Sequence, residues 1–226
     1  MKNILYIAFI LFLSAQTFAQ KETTKELEKF TEIKAFDRIE VTLIKSSSNK
    51  DVVTGEDRDE VSVTLNDGLL KIKMELDNHM DGGDIQAKVY YTEKLTLIDS
   101  NENAKIKSTE TLTGDTLKIA VQEAGKVEMA VQVDQLEVKS TSGGEITLTG
   151  KTKFQEVVAN AGGKVYNEKL NSEETKVTVN AGGRADVKAS QKVVAKVRAG
   201  GTINIYGNPK EVEKDKVFGG KITLMD

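Results

Sequence analysis

The chain offers few residues able to do chemistry. His79 is its single histidine, set in Asp77-Asn78-His79-Met80-Asp81-Gly82-Gly83-Asp84, and there is no cysteine. Three carboxylates and an imidazole in eight residues could touch a cation. The segment lacks the Asp/Asn register and distal glutamate of a calcium loop, however, and its ligands are too clustered to enclose an ion alone. A solvated hairpin loop accounts for the same residues. One histidine cannot supply a zinc hydrolase, and no nucleophile-elbow sequence accompanies it for serine–histidine catalysis. Paired glycines recur, but without the following helix, lysine and hydroxyl of a phosphate loop. The residues predict no catalytic site, no metal and no cofactor.

A second set is basic. Lys164 and Arg184 occupy equivalent places in adjacent repeats, and Arg198 ends the neighbouring column. In stacked strands the first two stand about 5 Å apart. Like charges in such a ladder repel, and an anionic ligand such as an acidic glycan would relieve them; Glu145, Asp186 and solvent could do the same.

Placing these groups requires the repeat itself. A Gly-Gly pair returns at 143/144, 162/163, 182/183, 200/201 and 219/220, at intervals of 19, 20, 18 and 19 residues, with Gly125 as a weaker earlier copy. Such self-similarity marks a stacked architecture. Before each pair, Val138, Val157, Val177 and Ala195 align, then Ser140, Ala159, Val179 and Val197, with Lys214 and Lys216 in the last copy. Ser142, Ala161, Ala181, Ala199 and Phe218 directly precede the pairs. After them come Ile146, Val165, Ala185, Ile203 and Ile222, then Leu148, Asn167, Val187, Ile205 and Leu224. Alternation puts all these columns on one face, the small or β-branched filling of a narrow interior. The intervening Thr141, Asn160, Asn180 and Arg198 and Glu145, Lys164, Arg184, Thr202 and Lys221 point outward. The fold predicted is all-β: a single-stranded right-handed parallel β-helix, a solenoid with coils of about 19 residues, preceded by a β-rich N-terminal cap.

Residues 1–19 read as a signal peptide, with Lys2, an apolar run over 4–13 and Thr17-Phe18-Ala19 for cleavage; the run is short for a membrane span. Residues 20–29 read as a flexible leader and 30–226 as one domain. Within it, Asn66-Asp67-Gly68 signals a hairpin. Without the signal peptide the balance is 31 basic against 35 acidic residues, which argues against nucleic acid. The last copy, Phe218 to Asp226, carries no amphipathic cap, so end-to-end homo-oligomerisation through this coil is expected.

The segments Gly200-Gly-Thr-Ile-Asn-Ile-Tyr-Gly-Asn-Pro209 and Phe218-Gly-Gly-Lys-Ile222 resemble the auto-transporter adhesin head GIN domain family. Ser142-Gly-Gly-Glu-Ile-Thr-Leu, Asn180-Ala-Gly-Gly183 and the opening from Phe36-x-x-Ile39-x-Val41 through Gly55-Glu56 to Asn66-Asp67-Gly68-Leu-Leu70 fit as well. The resemblance spans residues 30–226. It implies an exported β-helical protein, often of Gram-negative bacteria, with no catalytic residues to carry over. Three roles stay open on the residues alone. The favoured one is a non-enzymatic, adhesin-like or structural surface for a glycan or envelope protein, in the periplasm, at the cell surface or outside the cell. The second is a polysaccharide lyase or hydrolase, although near-constant coil lengths leave no inserted loop to wall a cleft. The third is a pure scaffold.

Overall fold

The computed structural model describes residues 22–75 and 81–225. Its strands are β1 (Glu22–Glu26), β2 (Glu32–Ala35), β3 (Glu40–Lys45), β4 (Lys50–Thr54), β5 (Val61–Asn66), β6 (Leu69–Met74), β7 (Gln86–Tyr91), β8 (Leu97–Ser100) and β9 (Lys105–Ser108). Longer ones follow: β10 (Leu112–Val121), β11 (Lys126–Ser140), β12 (Glu145–Ala159), β13 (Lys164–Asn180) and β14 (Arg184–Arg198). The last are β15 (Thr202–Tyr206), β16 (Glu211–Val217) and β17 (Lys221–Leu224). All belong to one hydrogen-bonded sheet wound on itself, a β-solenoid of about seven turns with repeats of about 19 residues. The signal-peptide segment and His79 lie outside the described residues.

Each coil turns its corner by the same local device. At Thr141-Ser142-Gly143-Gly144 the two central residues have φ of 51° and 73°, and the Gly144 N–H donates to the Thr141 carbonyl at 3.0 Å. This is a type I′ turn. The two glycines serve different ends. A Cβ on Gly143 would meet open space, so its need is the positive φ. A Cβ on Gly144 would lie 2.8 Å from Val121 Cγ1 and 2.9 Å from the Val121 carbonyl oxygen, so its need is close approach to the coil beneath. The positive-φ pair also occurs at 37/38, 102/103 and 123/124, where no Gly-Gly stands at the turn.

The expected inward columns are buried: Val138, Val157, Val177 and Ala195, and Ile146, Val165, Ala185 and Ile203, are fully enclosed. One column is corrected. Ser142, Ala161, Ala181, Ala199 and Phe218 are exposed, because left-handed backbone at the turn interrupts the strand alternation that would have sent them inward. Phe218 is 89% exposed. Lys214 and Lys216 keep their inward phase, as register partners of Ala195 and Val197, but nothing described covers them and both are exposed.

Order along the axis differs from order along the chain. β2 lies between β6 and β8, and β3 between β7 and β9, all in parallel. The β6–β7 coil is therefore outside the β2–β3 coil that precedes it in sequence. Antiparallel strands then finish this end: β5 pairs with β6 through the expected Asn66-Asp67-Gly68 hairpin, β4 pairs with β7, and β1 with β4. The segment read as a flexible leader thus holds a strand, Glu22–Glu26. All five of its side chains are exposed, so no alternation reveals it. Its polar edge suits a sheet that must not recruit another chain.

One internal irregularity shapes the middle of the stack. Asn167 pairs with Val187, yet Ser172 already pairs with Ala189 and Glu174 with Lys192. β14 thus covers in two residues what β13 covers in five. The Lys188 carbonyl loses its regular ladder partner, and a buried polar cluster compensates: Ser172 Oγ donates to it at 2.7 Å and Gln155 Nε2 at 3.4 Å. Asn167 Nδ2 donates to Gln155 Oε1, and Thr175 joins the Ser172 hydroxyl. A hydrophobic interior would leave that carbonyl unsatisfied, at a cost of about 1–3 kcal/mol.

Candidate ligand-binding surface

The basic residues sit on the outward side of the strands that follow the corner. Parallel pairing of β13 and β14 sets Lys164 opposite Arg184, with Glu145 next to Lys164 on β12. The spacing expected from the repeat is realised. Arg198 pairs with Asn180 and lies on the far side of the corner, so it neighbours this pair without sharing its strand face.

Arg184 is held in place from within. Its Nη2 lies 2.8 Å from Asp186 Oδ2, and its Nε reaches both carboxylate oxygens at 3.2 and 3.3 Å. The Asp186 side chain is 5% exposed, and its Oδ1 also accepts from Asn204 Nδ2 at 2.7 Å. A nearly buried carboxylate bonded along one edge of a planar guanidinium fixes its orientation. The Arg184 guanidinium carbon stands 5.7 Å from the centre of the Tyr166 ring. The Asp186 hydrogen bond, aided by the Asp186 charge and by nearby Tyr166 and Tyr206, raises the Arg184 pKa against the opposing effect of burial. The group is a permanent cation. Its side chain remains half exposed, leaving its remaining N–H donors open to a ligand beside the Lys164 ammonium.

The sequence reading identified Lys164 and Arg184 but not the parts that organise them. It treated Asp186 as a neutraliser and overlooked Tyr166, Asn204 and Tyr206. A signal was present: Tyr166, Asp186 and Asn204 form one outward column on adjacent coils. Elsewhere on the surface, charges pair between coils without forming a site, as in Lys118–Glu137, Lys176–Glu156 and Lys34–Asp99. Exposed pairs of this kind contribute about 0–1 kcal/mol each. Among the described residues, no group of three or more His, Asp or Glu side chains could hold a metal, and no helix is long and apolar enough to cross a membrane.

Comparison with solved structures finds the same architecture in other proteins. A "putative adhesin" of Bacteroides fragilis superposes with a TM-score of 0.77 at 18% identity, covering 92% of this chain and 98% of its own. A "putative adhesin" of Parabacteroides merdae gives 0.68 at 16% identity, covering 91% and 96%. A "putative lipid binding protein" of Parabacteroides distasonis gives 0.67 at 16%, covering 91% and 98%. At such identities these likenesses speak for the fold. No curated protein matches. The family model described as "Putative auto-transporter adhesin, head GIN domain" matches residues 29–209, most of the chain, and the protein therefore belongs to the head GIN domain family.

Proposed function

We propose that this protein is an exported, non-enzymatic, adhesin-like component of the cell envelope that binds acidic sugars at Lys164 and Arg184. The observation carrying this reading is the Arg184 clamp. A guanidinium fixed by a nearly buried Asp186, beside an ammonium one strand away and against a tyrosine ring, offers oriented donors to a carboxylate or sulfate. The tyrosine adds an apolar face against which a sugar ring can lie. Arg198, across the corner, adds charge at longer range and contributes less. Family membership and the adhesin names of the structural neighbours support the envelope role.

The test is a panel of acidic and neutral polysaccharides at low and moderate salt, with binding and chain cleavage followed together. Acidic polymers should bind in a salt-sensitive manner without cleavage. Lys164→Ser with Arg184→Ser should weaken binding of a single acidic sugar such as glucuronate at least tenfold, the loss of one or two charge-assisted hydrogen bonds. Cleavage products would overturn the non-enzymatic reading, and undiminished binding by the double variant would overturn the site.

A further inference from the structure

A second feature of the surface lies on a different wall of the solenoid. A groove of about 620 Å3 runs across β10 to β14, over the start of β10 and the middle of β11 to β14. Thr113, Gln132, Lys151 and Asn171 are consecutive register partners along it, one per coil. They stand about 4.8 Å apart, and with the step to Ser190 on β14 the groove covers about 19 Å. A second row flanks this ladder, where Lys153 bonds Asp134 at 2.9 Å and also lies within electrostatic reach of Glu173.

The register jump described above lies at one end of the groove. There β13 spends five residues where β14 spends two, and Asn171, Ser172 and Glu173 line the groove while β14 contributes Ser190. Ser190 Oγ donates to the Ser172 carbonyl at 3.3 Å and closes the step.

Its chemistry selects among possible occupants. The backbone groups of β10 to β13 here are engaged in coil-to-coil pairing, so no free sheet edge invites a peptide strand. Val133 is the one apolar side chain among the described residues lining the groove, too little for the buried anchors of a protein interface. Lys94, Lys151 and Lys153 face Asp134 and Glu173, which leaves a single excess positive charge, unlike the basic track that nucleic acid needs. What the groove offers is a periodic row of hydroxyl, amide, ammonium and amide groups, suited to a polymer rich in hydroxyls. Lys151 at its middle makes no ion pair among the described residues, and amides stand on either side of it.

We infer that this groove binds an extended segment of a uronic-acid-containing polysaccharide lying along the stack, with one sugar carboxylate at Lys151 and hydroxyls on Thr113, Gln132 and Asn171. The site is separate from the Arg184 clamp, which takes a single anionic sugar, and either can fail without the other.

The experiment titrates the full chain with size-defined oligogalacturonides from di- to octasaccharide, using neutral dextran oligomers as the control. Affinity should climb with length until the groove is filled and then level off. Lys151→Gln should weaken binding of the longer oligomers about tenfold, as expected for one charge-assisted contact, and Lys151→Arg should restore it. Arg184→Ser should leave the length dependence intact. Three outcomes would overturn the inference: affinity independent of length, equal binding by Lys151→Gln, or no binding of any uronide. If Lys151→Gln removes the length dependence while Arg184→Ser changes nothing, the groove stands and the Arg184 site falls. Lys151 is exposed, so the variants are expected to fold, and their thermal unfolding would be recorded alongside.

Discussion

Replacing Asp51 by asparagine probes the N-terminal cap most directly. Asp51 lies in β4 between β1 and β7, opposite Lys25 and Val89, and is 0% exposed. Neither carboxylate oxygen has a well-formed hydrogen bond, and Lys25 directs its ammonium to the Val63 carbonyl instead. Burial raises the Asp51 pKa from 3.8 to about 7, outweighing the downward pull of the Val52 amide and the Lys25 charge. Below the lower value folded and unfolded chains are both protonated, and this contribution to stability is fully present. Between the two values the unfolded chain has lost the proton that the folded chain keeps, so stability falls as pH rises, by about 1.4 kcal/mol per unit. About 4 kcal/mol is lost by the time the folded group ionises. Asparagine keeps the shape and removes the titration, at a desolvation cost of about 1–3 kcal/mol for its amide. Asp51→Asn should therefore be less stable than the parent at about pH 4, where little has yet been lost, and about 1–3 kcal/mol more stable at about pH 8. Urea unfolding at both values gives the midpoints and, through the slope, a check that the unfolded state has not changed. Parallel pH profiles for the two proteins would refute the reasoning.

The paired glycines should separate by substitution: Gly143→Ala meets only the positive-φ penalty, about 1–2 kcal/mol, whereas Gly144→Ala drives a Cβ into the Val121 backbone and should cost more. Equal losses in thermal unfolding would show that the two positions do not differ as described. Ser172→Ala removes a donor to the Lys188 carbonyl and should destabilise by about 1–3 kcal/mol; an unchanged urea midpoint would mean that the Gln155 contact suffices. If copies associate end to end through exposed Val217, Phe218 and Leu224, the inward-phase Lys214 and Lys216 should oppose it. Lys214→Val with Lys216→Val should raise the mass seen by light scattering, and no change relative to the parent would show that the lysines are not the brake.

Much of the solenoid is legible in the chain because its rules are local. The in-and-out phase of each strand is written in alternation, and the corner in residues that tolerate positive φ, so Val138, Val157 and Val177 could be stacked on paper. The same locality explains the failures. Ser142 and its equivalents break phase because the turn that carries them is left-handed, and Glu22–Glu26 has no apolar face to betray a strand. The coil lengths of 20 and then 18 residues hinted at the jump near Asn167 and Ser172, but not at which stretch absorbed it.

Sequence alone thus determined the repeat, the identity of its inward columns, the family resemblance and the adjacency of Lys164 and Arg184. Tertiary structure alone decided what depends on pairing between distant segments. It put the β6–β7 coil outside β2–β3, buried Asp51 against Val89, set Asp186 and Tyr166 around Arg184, and aligned Thr113, Gln132, Lys151 and Asn171 along one groove. The physical reason is common to all four. Alternation fixes which way a side chain points, whereas the hydrogen-bonded register between coils fixes what it meets, and a shift of two residues in that register leaves the in-and-out pattern along the chain unaltered.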